Sequence, residues 1–154
     1  MKKDLTKTVQ EDANELLKLM GSTATASVLE DSENDALLVN IEAKDEAGLL
    51  IGRHGDTLNS LQMVLGLMLR QKLGEWKRIL VNVGDWREKQ DEYLKEMAQA
   101  TAERAKQTGE PQNLYNLSAG QRRVIHLALS EDPEIETVSE GEGAERYLII
   151  RPKK

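Results

Sequence analysis

Two glycines three positions apart, Gly52 and Gly55, bracket Arg53 and His54 near the middle of the chain. Glycine lets a backbone turn tightly and approach another backbone closely. The helix predicted to follow would direct its first N–H groups and the positive end of its dipole outward, which attracts phosphate. Arg53 can add a charged contact, and His54 can add a hydrogen bond. The segment therefore predicts a phosphate-binding loop, although a plain stop between two helices also explains the bare glycine spacing.

A second cationic group lies in the C-terminal half. Arg122 and His126 are four positions apart and share one face of a predicted helix, with Arg123 beside them. Arginines in the early turns of a helix oppose its dipole, and a bound phosphate would explain their presence there. The alternatives are that Arg122 is a solvated charge or pairs with a nearby acid, and that His126 is a packing residue. Arg146 and Arg151 could extend the basic face, although surface charge is the simpler interpretation.

The elements that must position the first group alternate in a regular order. Apolar spacing predicts a helix over residues 4–20, strands over 23–29 and about 37–41, a short helix over 46–51, a helix over 56–73 and a strand over 79–83. This helix-strand-strand-helix-helix-strand order is that of a type II KH fold. In KH domains a G-x-x-G loop clamps the backbone of about four nucleotides.

The remaining elements are predicted from end signals as well as periodicity. Asp85 with Glu88, and Ser118 with Gln121, have the spacing of capping boxes. They open a long helix over about 86–107 and a short helix that ends near Ser130, and strands follow over 135–139 and 147–151. The predicted domains are 1–84 and 85–154, with the long helix as a connector.

Aromatic residues are few, with two Trp, three Tyr and no Phe. An RNA-recognition-motif sheet needs paired aromatics on adjacent strands, and the sequence predicts no such pair. Trp86 and Tyr93 are seven positions apart, and we predict both to be core residues on the inner face of the long helix. A KH-type groove would then have an aliphatic floor, for which Ile51, Leu58 and Val39 are the predicted lining.

Composition excludes several classes of function. A chain of 154 residues allows one to two domains, and its 39% hydrophobic residues allow a core. The absence of Cys excludes disulfides, thiolate zinc sites and a cysteine nucleophile, and two His exclude a histidine-rich metal site. Because no nucleotide-binding glycine pattern or Ser/His/Asp arrangement occurs either, we predict no catalysis, no cofactor and no metal. Without a long apolar run or a signal-peptide pattern, the predicted location is the cytoplasm, with no membrane insertion.

The net charge of −6 argues by itself against a nucleic-acid binder. Its distribution is uneven, because residues 52–90 hold seven basic and four acidic residues, a net charge of +3. A local basic site on an acidic body fits this distribution, and so does chance. The acidic balance and an apolar sheet that could dimerise also fit a competing interpretation, a protein-interaction module without nucleic-acid binding.

Several segments together resemble one family. Ile51–Leu58, followed by Leu61-Gln62, resembles the KH segment of bacterial Jag proteins, also called KhpB, and the similarity continues through Asp85-Trp86-Arg87. Arg122–His126 and Ser139–Gly143 resemble the R-3-H (Arg-x-x-x-His) domain of the same family. Both motifs occur in the family's order and at domain spacing, which is far more specific than a lone G-x-x-G.

The resemblance covers about residues 20–154 and implies an α+β protein, a type II KH domain (αββααβ) followed by a small α/β R-3-H domain. It implies non-catalytic binding of single-stranded RNA, with single-stranded DNA as a second ligand. The implied backbone contacts are Gly52, Arg53, His54, Gly55, Arg122 and His126, to which the helix position adds Arg123.

The family also suggests what the protein would do in the cell. The resemblance implies self-association or pairing with a separate small KH protein. It further implies a post-transcriptional, RNA-chaperone or cell-envelope and division role. Family members often carry a further N-terminal domain, whereas this chain starts directly at the KH helix. A role tied to that domain, such as contact with the membrane-insertase machinery, is therefore left open.

Overall fold

The computed structural model describes residues 2–154, with side chains from Leu5 onward, and the chain divides into two compact units, Met1–Arg87 and Glu88–Lys154. Each unit combines helices with a three-stranded sheet. The predicted α+β class is therefore confirmed.

The first unit has the predicted order of elements, and all of its predicted helices and strands are present. Its elements are α1 (Lys2–Leu19), β1 (Thr25–Asp31), β2 (Ala36–Glu42), α2 (Ala47–Ile51), α3 (Asp56–Leu73) and β3 (Arg78–Val83). A 3₁₀ turn, Arg53–Gly55, separates α2 from α3. In the sheet order β1-β2-β3, β1 pairs antiparallel with β2, and β2 pairs parallel with β3. A parallel pair needs a crossover connection, and α2, the turn and α3 provide it.

The core of the first unit follows from two periodicities. Strand alternation places Val28, Val39 and Val81 side by side across the three strands, on the buried face of the sheet. Helical spacing places Leu17 of α1 and Leu61 of α3 in the same buried cluster. The sheet and both long helices therefore share one core, and the turn between α2 and α3 lies at its edge.

The second unit contains one strand that the sequence did not predict. Its elements are α4 (Trp86–Thr108, beginning two residues before the unit boundary), β4 (Gln112–Leu114), α5 (Ala119–Leu129), β5 (Ile135–Glu140) and β6 (Tyr147–Pro152). The sheet order is β4-β6-β5, and both pairings are antiparallel. β4 escaped prediction because it has only three residues, and its partner β6 lies more than 30 residues away.

The long helix α4 buries a narrow stripe of mostly small residues. Leu94, Ala98, Ala102 and Ala105 are buried together in the core of the second unit. Tyr93 lies outside this stripe and is 60% exposed, so its predicted core position is wrong. Neighbouring helix positions differ by about 100°, and the face is set by Leu94 rather than by Tyr93.

The start of α5 is fixed by its cap. The Ser118 hydroxyl accepts a hydrogen bond from the Gln121 N–H at 3.2 Å, and the Gln121 side chain accepts one from the Ser118 N–H at 2.8 Å. The predicted capping box is therefore confirmed, and it fixes where Arg122 and His126 fall on the helix. The Asp85–Glu88 capping box stays a prediction.

Across the part of the chain that the structure describes, no helix is long and apolar enough to cross a bilayer.

Candidate nucleic-acid interface

The G-x-x-G loop is an exposed tip on a partly buried base. Arg53 and His54 are exposed, whereas Gly52 is half-buried and Gly55 is buried. Gly52 and Gly55 have φ values of +72° and +82°, and a Cβ at Gly52 would overlap the Thr57 side chain. His54 also has a positive φ of +54°, which is uncommon for a residue with a Cβ. The backbone thus holds the side chains of Arg53 and His54 outward at a tight turn.

Two of the loop's amides are already used inside the turn. The Gly55 N–H donates to the Gly52 carbonyl at 3.4 Å, and the Asp56 N–H donates to the Arg53 carbonyl. The expectation that the N–H groups opening α3 point outward is therefore wrong for Asp56, because a 3₁₀ turn runs directly into the helix. The exposed side chains of Arg53 and His54 remain available to contact a phosphate.

Trp86 explains why the second glycine is needed. It lies 31 residues beyond Gly55 and is half-buried against the core of the first unit, so its predicted core position on the inner face of the long helix is only partly confirmed. A Cβ on Gly55 would lie 2.5 Å from Cη2 of the Trp86 ring. The glycine therefore allows both a left-handed turn and the close approach of an indole ring.

We expect Gly55→Ala to lower the free energy of unfolding by about 2–4 kcal/mol, from a strained positive φ and an overlap with Trp86. Gly74→Ala is the matched control, because Gly74 has a φ of +78° and open space around its Cβ position. We expect the control to lose only about 1 kcal/mol. Denaturant unfolding followed by tryptophan fluorescence reports on the first unit, since Trp76 and Trp86 both lie in it. Equal losses in the two variants would contradict the packing of Trp86 on Gly55.

The predicted aliphatic floor of the loop is largely wrong. Val39 and Leu58 are fully buried, because both fall on the inward stripes of their elements. Only Ile51 of the predicted lining retains exposure, as a half-buried residue. Leu49, which the sequence prediction missed, is 79% exposed on α2, two residues before Ile51. The apolar surface next to the loop therefore comes from α2.

In the second unit, α5 presents its three predicted cationic residues at one surface. Arg122 is half-buried, and its Nη1 donates a hydrogen bond to the Leu117 carbonyl at 2.6 Å. Arg123 and His126 are exposed, and His126 Nδ1 hydrogen-bonds to the Thr137 hydroxyl. Within residues 5–154 no acid forms an ion pair with Arg122, so the alternative of a nearby acid partner is wrong. The alternative that His126 is a satisfied packing residue stays open, because His126 is exposed but its ring is hydrogen-bonded to Thr137.

These residues line an open groove of about 520 Å³ between α5 and the sheet. The other groove residues are Ala119, Thr137, Ser139, Arg146 and Leu148. Arg146 Nε donates to the Ser139 hydroxyl at 2.9 Å, which holds the guanidinium in place. Fixed guanidinium groups with hydroxyls beside them suit the phosphate and sugar of a nucleic-acid strand.

The two hydroxyl residues were not predicted for the site, whereas Arg146, named above as a possible extension of the basic face, does line the groove. Thr137 and Ser139 follow the buried Ile135 at every second position of β5, so all three side chains share one face of the strand. Strand periodicity could therefore have placed both hydroxyl residues on the face towards α5. Arg146 needed the fold, because it lies in the loop before β6. Arg151 stays outside the groove, where its Nε pairs with Glu136 at 2.8 Å.

A separate ion-pair network joins α4 to the loop before β5. Lys106 contacts Asp132 at 2.8 Å and Glu134 at 3.3 Å. The hydrogen bond to Asp132, followed by that to Glu134, raises the pKa of Lys106, and the same bond lowers the pKa of Asp132. Lys106 therefore offsets part of the negative charge of these carboxylates, and all of them lie outside the groove. Among the residues described, no group of three or more His, Asp or Glu could hold a metal ion.

Two tyrosines form a pair that the sequence did not predict. The rings of Tyr115 and Tyr147 have centroids 5.1 Å apart and are tilted by 36°. A hydrogen bond from the Tyr147 hydroxyl to the Glu140 carboxylate, at 3.1 Å, raises the pKa of Tyr147. Tyr115 directly follows β4 and is not part of it, so the pair does not contradict the expectation that adjacent strands carry no aromatic pair. Because β4 was not predicted, no sequence pattern placed Tyr115 beside Tyr147.

Together, the fold and the two cationic surfaces define a protein with a KH domain followed by an R-3-H domain. Residues 10–83 match the family model described as KhpA/KhpB, KH domain, and residues 92–152 match the R-3-H domain model. The chain belongs to the KhpB family, which confirms the resemblance found in the sequence.

Three relatives show the extent of the similarity, and each is named RNA-binding protein KhpB. The protein from Clostridium symbiosum is 31% identical over 151 residues, covering 96% of this chain and 68% of the relative. The Bacillus subtilis (strain 168) protein is 34% identical over 112 residues, covering 71% and 54%. The Lactiplantibacillus plantarum protein is 30% identical over 139 residues, covering 90% and 42%. The chain therefore spans about two thirds of the length of the first relative, about half of the second and less than half of the third.

Proposed function

We propose that this protein binds single-stranded RNA without catalysis, with single-stranded DNA as a second ligand. The contacts are made with the sugar-phosphate backbone by Gly52–Gly55 and by the α5 groove residues Arg122, Arg123 and His126. The observation that carries the proposal is the convergence of these three residues with Arg146 in one groove. The relatives' shared name, RNA-binding protein KhpB, supports the same ligand.

The overall charge of −6 is compatible with this proposal. Phosphate binding depends on the local field at a site, and three arginines and a histidine in one groove outweigh more distant acids that salt screens. Some of those acids are also engaged in ion pairs, as Asp132 and Glu134 are with Lys106. The acidic remainder of the surface would limit non-specific binding.

The proposed domains are a KH domain over 1–84 and an R-3-H domain over 85–154, with α4 as the connector. One strand that engages both domains would bind more tightly than either domain alone, because the second contact becomes intramolecular. We also propose the cytoplasm as the location, since cellular transcripts are found there, and a post-transcriptional role as suggested by the family. Contact with the membrane-insertase machinery stays outside the proposal.

Exposed apolar side chains on the first unit favour an additional protein contact. Met63, Val64 and Leu67 of α3 and the nearby Trp76 are 41–65% exposed, and the Trp76 ring lies over Gly66. Self-association or pairing with a separate small KH protein would cover this patch. A protein-interaction module without RNA binding is the second candidate function. Light scattering on the full chain tests the homodimer. A monomeric mass would contradict self-association.

A binding titration at two salt concentrations tests RNA binding and separates the two candidates. About four phosphate contacts to a single strand predict an affinity roughly fiftyfold weaker at about 200 mM than at about 50 mM salt. Filter binding with a single-stranded RNA, and with a duplex of the same sequence as control, measures this change. Absence of binding at low salt would contradict the proposal and favour the protein-interaction module.

A further inference from the structure

We infer that the Tyr115–Tyr147 pair is a stacking platform for a base of the bound strand, next to the phosphate-binding groove. The inference rests on the proposed function, because it assigns a base contact to the same nucleic acid. It differs from the backbone contacts above, since a stacked base adds affinity that does not depend on salt.

Strand register places the pair on the outer face of the second sheet. Leu114 is paired with Leu148, and both side chains pack in the core of the second unit. Tyr147, the residue before Leu148 on β6, therefore points to the opposite, outer face. Tyr115 directly follows β4, and its ring contact with Tyr147 places it on the same side.

Both rings are held by their hydroxyl groups, which leaves ring surface free to stack. The Tyr115 hydroxyl accepts a hydrogen bond from Asn113 Nδ2 at 3.0 Å, and the Tyr147 hydroxyl donates to Glu140. Tyr115 is 59% exposed in spite of its contact with Tyr147. A ring fixed in this way loses little conformational entropy when a flat ligand stacks on it.

The position of Arg146 connects this platform to the groove. Arg146 lines the groove on the inner side of the sheet, and Tyr147 is the next residue but faces outward. A strand whose phosphate contacts Arg146 could pass the start of β6 and place its adjacent base on the tyrosines. A nucleic-acid strand bound to Arg146 at the start of β6 is therefore the ligand best placed to reach the two tyrosines.

Local charge favours a base over a phosphate on the platform itself. The Glu140 carboxylate borders Tyr147, and the Arg151 guanidinium, four residues further along β6, is paired with Glu136. A carboxylate repels phosphate but accepts hydrogen bonds from the amino and imino groups of a base. The platform thus complements the groove, where cations contact phosphates.

Tyr115→Leu tests the platform, and Tyr115→Phe is the matched control that keeps the ring. The ligands are a single strand of about 12 adenylates and an abasic strand of the same length, each measured at constant salt. We expect Tyr115→Leu to weaken adenylate binding about tenfold, and Tyr115→Phe to change it less than about twofold. Wild type and both variants should bind the abasic strand equally.

The outcomes separate this inference from the proposed function. If the wild type binds neither strand, RNA binding fails and the platform fails with it. Salt-dependent binding of adenylates that is the same for wild type and Tyr115→Leu would overturn the platform alone and leave the pair to a protein contact. Photo-crosslinking of the wild type to a strand containing 5-iodouracil is independent of any variant's folding. Crosslinks at Tyr115 or Tyr147 support the platform, and crosslinks confined to other residues overturn it.

Discussion

Replacing Arg53 and His54 together by Asp is expected to lower the affinity for single-stranded RNA by about tenfold or more while leaving the fold intact. Both side chains are exposed at the tip of the turn, and within residues 5–154 neither forms an ion pair. The change removes a charge-assisted contact and places two carboxylates where the phosphate would lie. Fluorescence anisotropy with a labelled single-stranded RNA measures the loss, and circular dichroism checks the fold.

A second double variant separates the effect of the position of the new charges from the effect of net charge on affinity. Arg70→Asp with Gln71→Asp changes the formal charge by the same amount, at exposed positions near the opposite end of α3. We expect this control to weaken binding much less, because salt screens a charge more than about 10 Å from the strand. Equal losses in both variants would indicate a general charge effect, and an unchanged dissociation constant for the loop variant would exclude the loop from binding.

The second large effect is expected for Arg122→Ala, which should lower both the affinity and its dependence on salt. The guanidinium is held at the groove by its hydrogen bond to the Leu117 carbonyl, so it can contact a phosphate with little loss of side-chain entropy. Loss of one phosphate contact to a single strand lowers the slope of log affinity against log salt by about 0.7. Titrations at several salt concentrations measure this slope.

Arg104→Ala is the control for Arg122→Ala, because Arg104 is exposed on α4 and does not line the groove. It removes the same charge from the same unit. We expect its salt slope to match that of the wild type. A wild-type slope in the Arg122→Ala variant would assign Arg122 a structural role at the start of α5 instead.

Local patterns predicted the elements well, because each pattern reports on one element. The spacing of Leu61, Leu65 and Leu69 identified the inner face of α3, and Ser118 with Gln121 identified the start of α5. The same local signals placed Arg122 and His126 on one helical face. The residues of the candidate site that depend on a single helix or turn were therefore accessible from the sequence.

Contacts between distant residues were not accessible in this way. The glycine at position 55 has a local turn preference, but its burial depends on Trp86, which approaches through the tertiary fold. Thr137 and Arg146 join the groove only because β5 and β6 pair beside α5. The aliphatic side chain of Val39 is compatible with either a groove lining or a core position. Only the packing of both helices on the sheet shows that Val39 belongs to the core.

The central claim is that an acidic protein holds a nucleic-acid backbone at two separate cationic surfaces, and amide NMR tests it most directly. Titration of the full, ¹⁵N-labelled chain with a single-stranded RNA reports contact residue by residue. We predict the largest shifts at Gly52–Gly55 and around Arg122, Arg123 and His126. Shifts confined to the exposed apolar side of α3, or the absence of shifts at low salt, would contradict the account.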